Sequence, residues 1–396
     1  MGDLDELLVT SCKTSLQLWR GLNSSSMNNV HSYRVRGCIA NSSLNIIGND
    51  YIMVAEENKS LLHYWPISAM DEITKPRMVL PEPVRAVYVS PDNCYLACGI
   101  NKTLYVWQIC SGALLALQEI HLRPITCMRF SINSDYLIVG AENETLQVQK
   151  DHSQTKPLHK MFDHTGEVTN IQISPFSHQA RFATSSLDNT CRIYQLSSGQ
   201  LLLQLVWTEG ISTFTTDTSF WNLFFGGCIG SLEQFSLTEP PKTTIHHVND
   251  SENKLNFIGH TERITCLVLN ITNEILVSGS EDKTVIVWNV DTRQMLKRLE
   301  HKSFVTNVGF IFENILEERK PKFVLNELQN IICTNNQMIK ASAVQDDDIA
   351  FSDDSDCDVV SKVSNDDGED KLLMAYNVNE QLYTQLVGML SERDRL

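Results

Sequence analysis

The sequence predicts an all-β protein: a ring of seven repeated units sealed by its own two ends. Three observations carry this. Within residues 257–290, three short apolar runs, Ile264–Leu269, Ile275–Ser278 and Val285–Trp288, are separated by Asn/Thr and Gly/Glu/Asp punctuation, the pattern of consecutive short strands. The same turn-to-strand signature recurs at spacings of 41 to 53 residues through the first 312 residues. Finally, the two ends of that region are each incomplete, and each supplies what the other lacks.

The offset of six from Asp282 to Trp288 serves as a ruler. It places third strands at Trp19, Trp65, Trp107, Gln149, Tyr194, Phe235 and Trp288, with spacings of 46, 42, 42, 45, 41 and 53 residues. A propeller blade of four strands occupies about 40–45 residues. The copies are degenerate. Asn101 and Asn143 stand where Asp282 does, and Gln149, Tyr194 and Phe235 stand where Trp288 does. His121, His164 and His301 recur at the position of His260.

The Gly259-His260 opening and the Trp288 ending resemble a WD40 repeat, with Asn289 in place of the usual Asp. That resemblance implies a seven-bladed WD40 β-propeller. It also implies a buried hydrogen-bonded network of His260, Ser278 (or Ser280), Asp282 and Trp288. A buried indole and imidazole each need a partner, so these four residues are expected to be structural rather than catalytic.

Leu7–Ser11 and Ser15–Trp19 read as second and third strands with no first strand before them. Phe304–Phe312 reads as a first strand with none after it. Pairing them makes a composite blade that leaves no open edge, and the propeller domain is expected over 1–312. Two polar stretches, 150–157 and 238–254, read as long exposed loops. Adjacent His246 and His247 in the second have no further ligand at metal-binding spacing.

Past the ring, residues 313–345 form an irregular extension. Residues 346–370 hold eleven acidic residues and a single Lys, an acidic linker expected to be disordered. Ser352 and Ser355 within it suit acid-directed kinases. Residues 371–396 have helical periodicity, with Leu372, Tyr376, Leu382, Leu386 and Leu390 along an apolar stripe and Asn379 on its seam. A tethered helix this short needs a partner for its apolar face, and a homodimer through this helix is expected.

Composition narrows the function. The net charge of −16 argues against a dominant duplex-binding or membrane-surface role, although direct nucleic-acid contact stays open. The eleven cysteines never form a CxxC pair, and Cys94 and Cys98 read as buried thiols on a strand. The acidic start does not resemble a signal peptide, and no apolar run approaches the ~20 residues of a membrane helix. The expectation is a soluble, intracellular, reduced protein. No phosphate-cradling loop, nucleophile elbow, zinc finger or paired-carboxylate site is legible. The reading is therefore no enzyme, no cofactor and no metal, but a platform for other proteins.

The stretches 111–117, 183–205, 224–234 and 259–308, with the terminal helix, resemble the WD repeat-containing protein 18 family and its fungal Ipi-type counterpart. That resemblance implies a non-catalytic scaffold subunit of a nuclear complex, nucleolar and nucleoplasmic, that matures the large ribosomal subunit and supports removal of an internal spacer from precursor rRNA. It implies as partners an α-helical-repeat scaffold, a remodelling ATPase and the pre-ribosomal particle, with dimerisation through the terminal helix and a link to replication initiation. Two alternatives stand beside it. A cullin-ligase substrate receptor would carry Arg shortly after a third-strand Trp-Asp, and neither Trp107 nor Trp288 is followed by one. An RNA-binding propeller would need a basic, aromatic-studded face.

Overall fold

The computed structural model describes residues 6–22, 27–35, 37–48, 50–67, 78–119, 121–142, 146–149, 157–176, 180–248, 255–312, 325 and 328. The acidic linker with Ser352 and Ser355, and the stripe of Leu372, Tyr376, Leu382, Leu386 and Leu390, lie outside the described residues.

Every regular element among the described residues is a strand. These strands gather into seven sheets. Sheet 1 takes its innermost strand from the far end of the ring: the order is Val305–Phe312, Glu6–Cys12, Ser15–Arg20, Asn28–Arg34. Sheets 2 to 7 follow along the chain, at 45–79, 86–119, 125–161, 168–206, 211–257 and 264–300. The composite sheet is antiparallel, with register running from Glu6 opposite Phe312 to Cys12 opposite Val305. It joins the two ends as the sequence suggested. The third strands include Ser15–Arg20, Leu61–Pro66, Thr103–Gln108, Thr190–Gln195, Leu232–Ser236 and Thr284–Asn289, so the ruler residues fall where expected. Ile264–Leu269 has the expected bounds, while its neighbours extend to Ile275–Ser280 and Thr284–Asn289.

From Asn45–Ile47 of sheet 2 through to Val305–Phe312 of sheet 1, the innermost strands pack in succession, each against the first strand of the next sheet. A hydroxyl at the second residue of several of these strands ties one sheet to the next. Thr126, Thr169, Ser212 and Thr265 donate to the backbone oxygens of Val168, Ile211, Ile264 and Val305, at 2.6, 3.0, 2.6 and 2.7 Å. Each acceptor lies one repeat further along, so each latch bridges two sheets. At the seam between sheets 1 and 2, buried Asn307 takes over. Its Oδ1 accepts from the Ser43 amide at 2.8 Å, and its Nδ2 donates to Ala40 O at 3.1 Å and Ser11 Oγ at 3.0 Å. Thr306 Oγ1 lies 2.7 Å from Ser11 Oγ in the same knot. A buried amide that satisfies both its ends across the seam resists opening there.

Hydrophobic clusters fill the spaces between sheets, as a stack of half-buried faces requires. Leu325 and Leu328 of the extension are buried in the cluster that joins sheets 2 and 3.

The stretch 238–254 departs from the expected exposed loop. Within it, Ile245–His247 forms a strand that pairs parallel with Leu201–Val206, giving sheet 5 a fifth strand. Val248 is buried beside it in the cluster shared by sheets 5 and 6. The edge of Leu201–Val206 offered unpaired backbone groups, and the long connection was free to satisfy them. His246 lies 5.9 Å from the Phe235 ring. Cys98 is buried on Tyr95–Ile100, whereas Cys94 sits in the turn before that strand.

Candidate functional site

Sheet 7 brings the four singled-out residues together. His260 lies in the connection leading to Ile264–Leu269, Asp282 in the turn after Ile275–Ser280, and Trp288 on the third strand. His260 Nδ1 is 2.9 Å from Asp282 Oδ2, and its Nε2 is 2.7 Å from Ser278 Oγ. The Trp288 indole donates to the same Ser278 Oγ at 2.8 Å. An indole can only donate, so Ser278 accepts from Trp288 and turns its own hydroxyl proton toward His260 Nε2. The imidazole proton then sits on Nδ1 and is donated to Asp282. Asp282 also accepts from Thr284 Oγ1 at 2.5 Å and Thr284 N at 2.9 Å, which fixes the turn. Ser280, the alternative to Ser278, instead accepts from the Asp282 amide and donates to Glu262 O.

Local sequence makes this geometry possible. A Cβ on Gly259 would stand 2.7 Å from the Trp288 ring, so only glycine lets the connection pass over the indole. Phe257 packs edge-on against Trp288 at 5.6 Å and closes the other side. Electrostatics agree with the assigned protons. Burial pushes the His260 imidazole below its ordinary value, despite the Asp282 carboxylate. Burial would raise Asp282, but hydrogen bonds from Thr284 and His260 outweigh it and hold the carboxyl below the usual range.

Sheet 5 repeats the arrangement with substitutions. His164 Nδ1 is 2.9 Å from Asp188 Oδ2, and its Nε2 is 2.8 Å from Thr184 Oγ1. Tyr194, in the place of Trp288, sends its hydroxyl to Asp163 Oδ2 at 2.9 Å. In sheet 1, Trp19 donates to Thr10 Oγ1 at 2.9 Å, but Lys13 occupies the acid's position. His301 is left packed edge-on against Trp19, 6.2 Å away.

Sheet 6 replaces the polar network by rings. Trp207 stands where His260 does, Phe225 where Ser278 does, and Phe235 where Trp288 does. Trp207 lies 4.1 Å from Phe225 and 6.2 Å from Phe235, centroid to centroid. Its indole still needs an acceptor and finds Glu233 Oε2 at 2.9 Å. The sequence ruler marked only Phe235 as unusual. The matching changes at 207, 225 and 233 could have been read only as a set.

The connectivity of Ser278, His260 and Asp282 is that of a nucleophilic triad, yet Ser278 is completely buried and accepts the Trp288 proton. Such an oxygen has neither access to a substrate nor a free lone pair facing one. Among the described residues, no three His, Cys, Asp or Glu side chains converge as a metal-ligand set.

Comparison with known proteins follows the same geometry. The family model "WD domain, G-beta repeat" matches residues 74–108, 155–195 and 251–289, each segment ending at the close of a third strand. WD repeat-containing protein 18 of Danio rerio is 33% identical over 289 residues, which cover 71% of this chain and 67% of that protein. The chain belongs to the WD repeat-containing protein 18 family. The Homo sapiens member is 28% identical over 278 residues, covering 68% of this chain and 64% of its own length. Pre-rRNA-processing protein crb3/ipi3 of Schizosaccharomyces pombe is 28% identical over 270 residues, 58% of this chain and 60% of that protein. The chain thus spans about two thirds of the length of its family relatives.

Proposed function

We propose that this chain is a non-catalytic scaffold subunit in the processing of precursor ribosomal RNA during assembly of the large ribosomal subunit. The observation that carries the reading is kinship: the family has a relative, in a distant organism, named for pre-rRNA processing. The geometry supports the scaffold half of the proposal. The polar side chains of sheets 5 and 7 that could do chemistry are consumed by one another inside the blades, so the ring offers surfaces. We read the seven sheets as seven blades of one ring, with the network of His260, Ser278, Asp282 and Trp288 as internal bracing.

The finer parts belong to the same proposal. The setting is nuclear, the partners are an α-helical-repeat scaffold subunit, a remodelling ATPase and the pre-ribosomal particle, and the assembly is a homodimer through 371–396. Depletion of the protein with probing of rRNA intermediates tests the function. The proposal expects precursors that retain the internal spacer to accumulate, and re-expression to restore their removal. Unchanged precursor levels after full depletion would overturn it.

A further inference from the structure

Sheets 2 and 3 are unequal partners. Sheet 7 is built from four strands of six residues, whereas sheet 2 has an inner strand of three, Asn45–Ile47, and an outer strand of two, Met78–Val79. Sheet 3, packed against it, carries a six-residue outer strand, Leu114–Glu119. The short strands of sheet 2 supply little cover for that longer neighbour. The cluster between the two sheets is nevertheless closed: Tyr64, Met78, Cys98 and Trp107 are each no more than 2% exposed.

Part of that cover comes from beyond the ring. Leu325 and Leu328 are 4% and 6% exposed, and both belong to this cluster. Leu325 follows Phe312, the end of the last strand, by 13 residues. An extended chain of that length spans up to about 45 Å, enough to leave sheet 1, pass sheet 2 and reach the groove. Residues three apart can turn their side chains to one side, and here both leucines bury in the same place.

We propose that the groove between sheets 2 and 3 is a docking site for a Leu-x-x-Leu segment, and that residues 325–328 of this chain are its occupant. The two leucines are the anchors, and the groove takes them by shape and apolar contact. The propeller expected over 1–312 is then completed by residues beyond it, and the tail is tethered from this groove instead of from Phe312. A segment on the same chain has an effective concentration in the millimolar range, so the site is filled in the intact protein. The inference stands independently of the pre-rRNA reading.

Two native thiols make the test local. Cys98 lies in this cluster and Cys191 in the one shared by sheets 5 and 6; both are fully buried, and burial pushes both thiols up. The full chain is pulsed with iodoacetamide, and alkylation of each cysteine is followed by mass spectrometry. Leu325→Ser with Leu328→Ser speeds alkylation of Cys98 about tenfold and leaves Cys191 unchanged. The milder Leu328→Ala moves Cys98 the same way by a smaller factor, and Phe162→Ser, on an exposed side chain elsewhere, moves neither. A synthetic peptide of residues 321–332, at about 1 mM, slows Cys98 of the double variant toward the wild-type rate, while the same peptide with serine for both leucines does not. The proposal is overturned if Cys98 keeps its wild-type rate in both leucine variants, if Cys98 and Cys191 accelerate equally, or if the native peptide protects no better than the serine peptide.

Discussion

Ser278, His260 and Asp282 show how the same three residue types serve opposite purposes. In a nucleophilic triad the serine oxygen faces a cleft; here it is a relay between an indole and an imidazole. Trp288→Ala removes a large buried ring and strands Ser278, and should destabilise the protein by about 2–5 kcal/mol. Ser278→Ala should destabilise by about 1–3 kcal/mol, since it leaves the Trp288 indole without its acceptor. Urea unfolding measures both. A structural role further predicts that Ser278→Ala, expressed to matched levels, restores rRNA processing to depleted cells. The network also gives stability a pH dependence. His260 and His121 are held below their ordinary value by burial, His121 at about 4, so the unfolded chain takes up protons first as pH falls. Their stabilisation is complete above about pH 6.5 and is lost down to the folded values. Asp188 and Asp282 are depressed in the fold, so their contribution fades only at still lower pH, below the usual carboxylate range. Unfolding midpoints should therefore fall steadily from pH 6.5 to 4; a midpoint flat across that range would count against the buried neutral histidines.

At the scale of the element, the third strands were legible because one covalent offset, six residues from turn to ring, recurs along the chain. The composite sheet was legible because each half lacked what the other had. Other elements were not legible, for identifiable reasons. Ile245–His247 pairs with a strand about forty residues earlier, and nothing within its own sequence announces that edge. Trp207 in the histidine's place makes sense only with Phe225 and Glu233 known to surround it. The latches left a trace that could have been found: a Thr or Ser follows the first apolar residue of the first strand at 126, 169, 212, 265 and 306. What that pattern cannot reveal is that the hydroxyl reaches the neighbouring repeat. Thr265→Val keeps the shape and removes the bond to Val305, and should destabilise by about 1 kcal/mol. Asn307→Ala should destabilise more, by about 2–3 kcal/mol, because it leaves several buried partners unsatisfied at one seam. Equal melting temperatures for the two variants would show that the seam is no weaker a point than the other junctions.

At the scale of the whole molecule, the ring is one cooperative object only if its ends are one element. Val305–Phe312 and Glu6–Cys12 come from opposite ends of the ring and share seven register pairs. Breaking that pairing exposes the buried faces of Leu7, Leu8, Val9 and Ile311 and frees two sheet edges at once. The direct measurement is thermal unfolding of the full chain against the same chain lacking residues 1–20. Closure predicts that the shortened protein is insoluble or unfolds without a cooperative transition. A shortened protein that melts as sharply, and at the same temperature, as the full chain would contradict it.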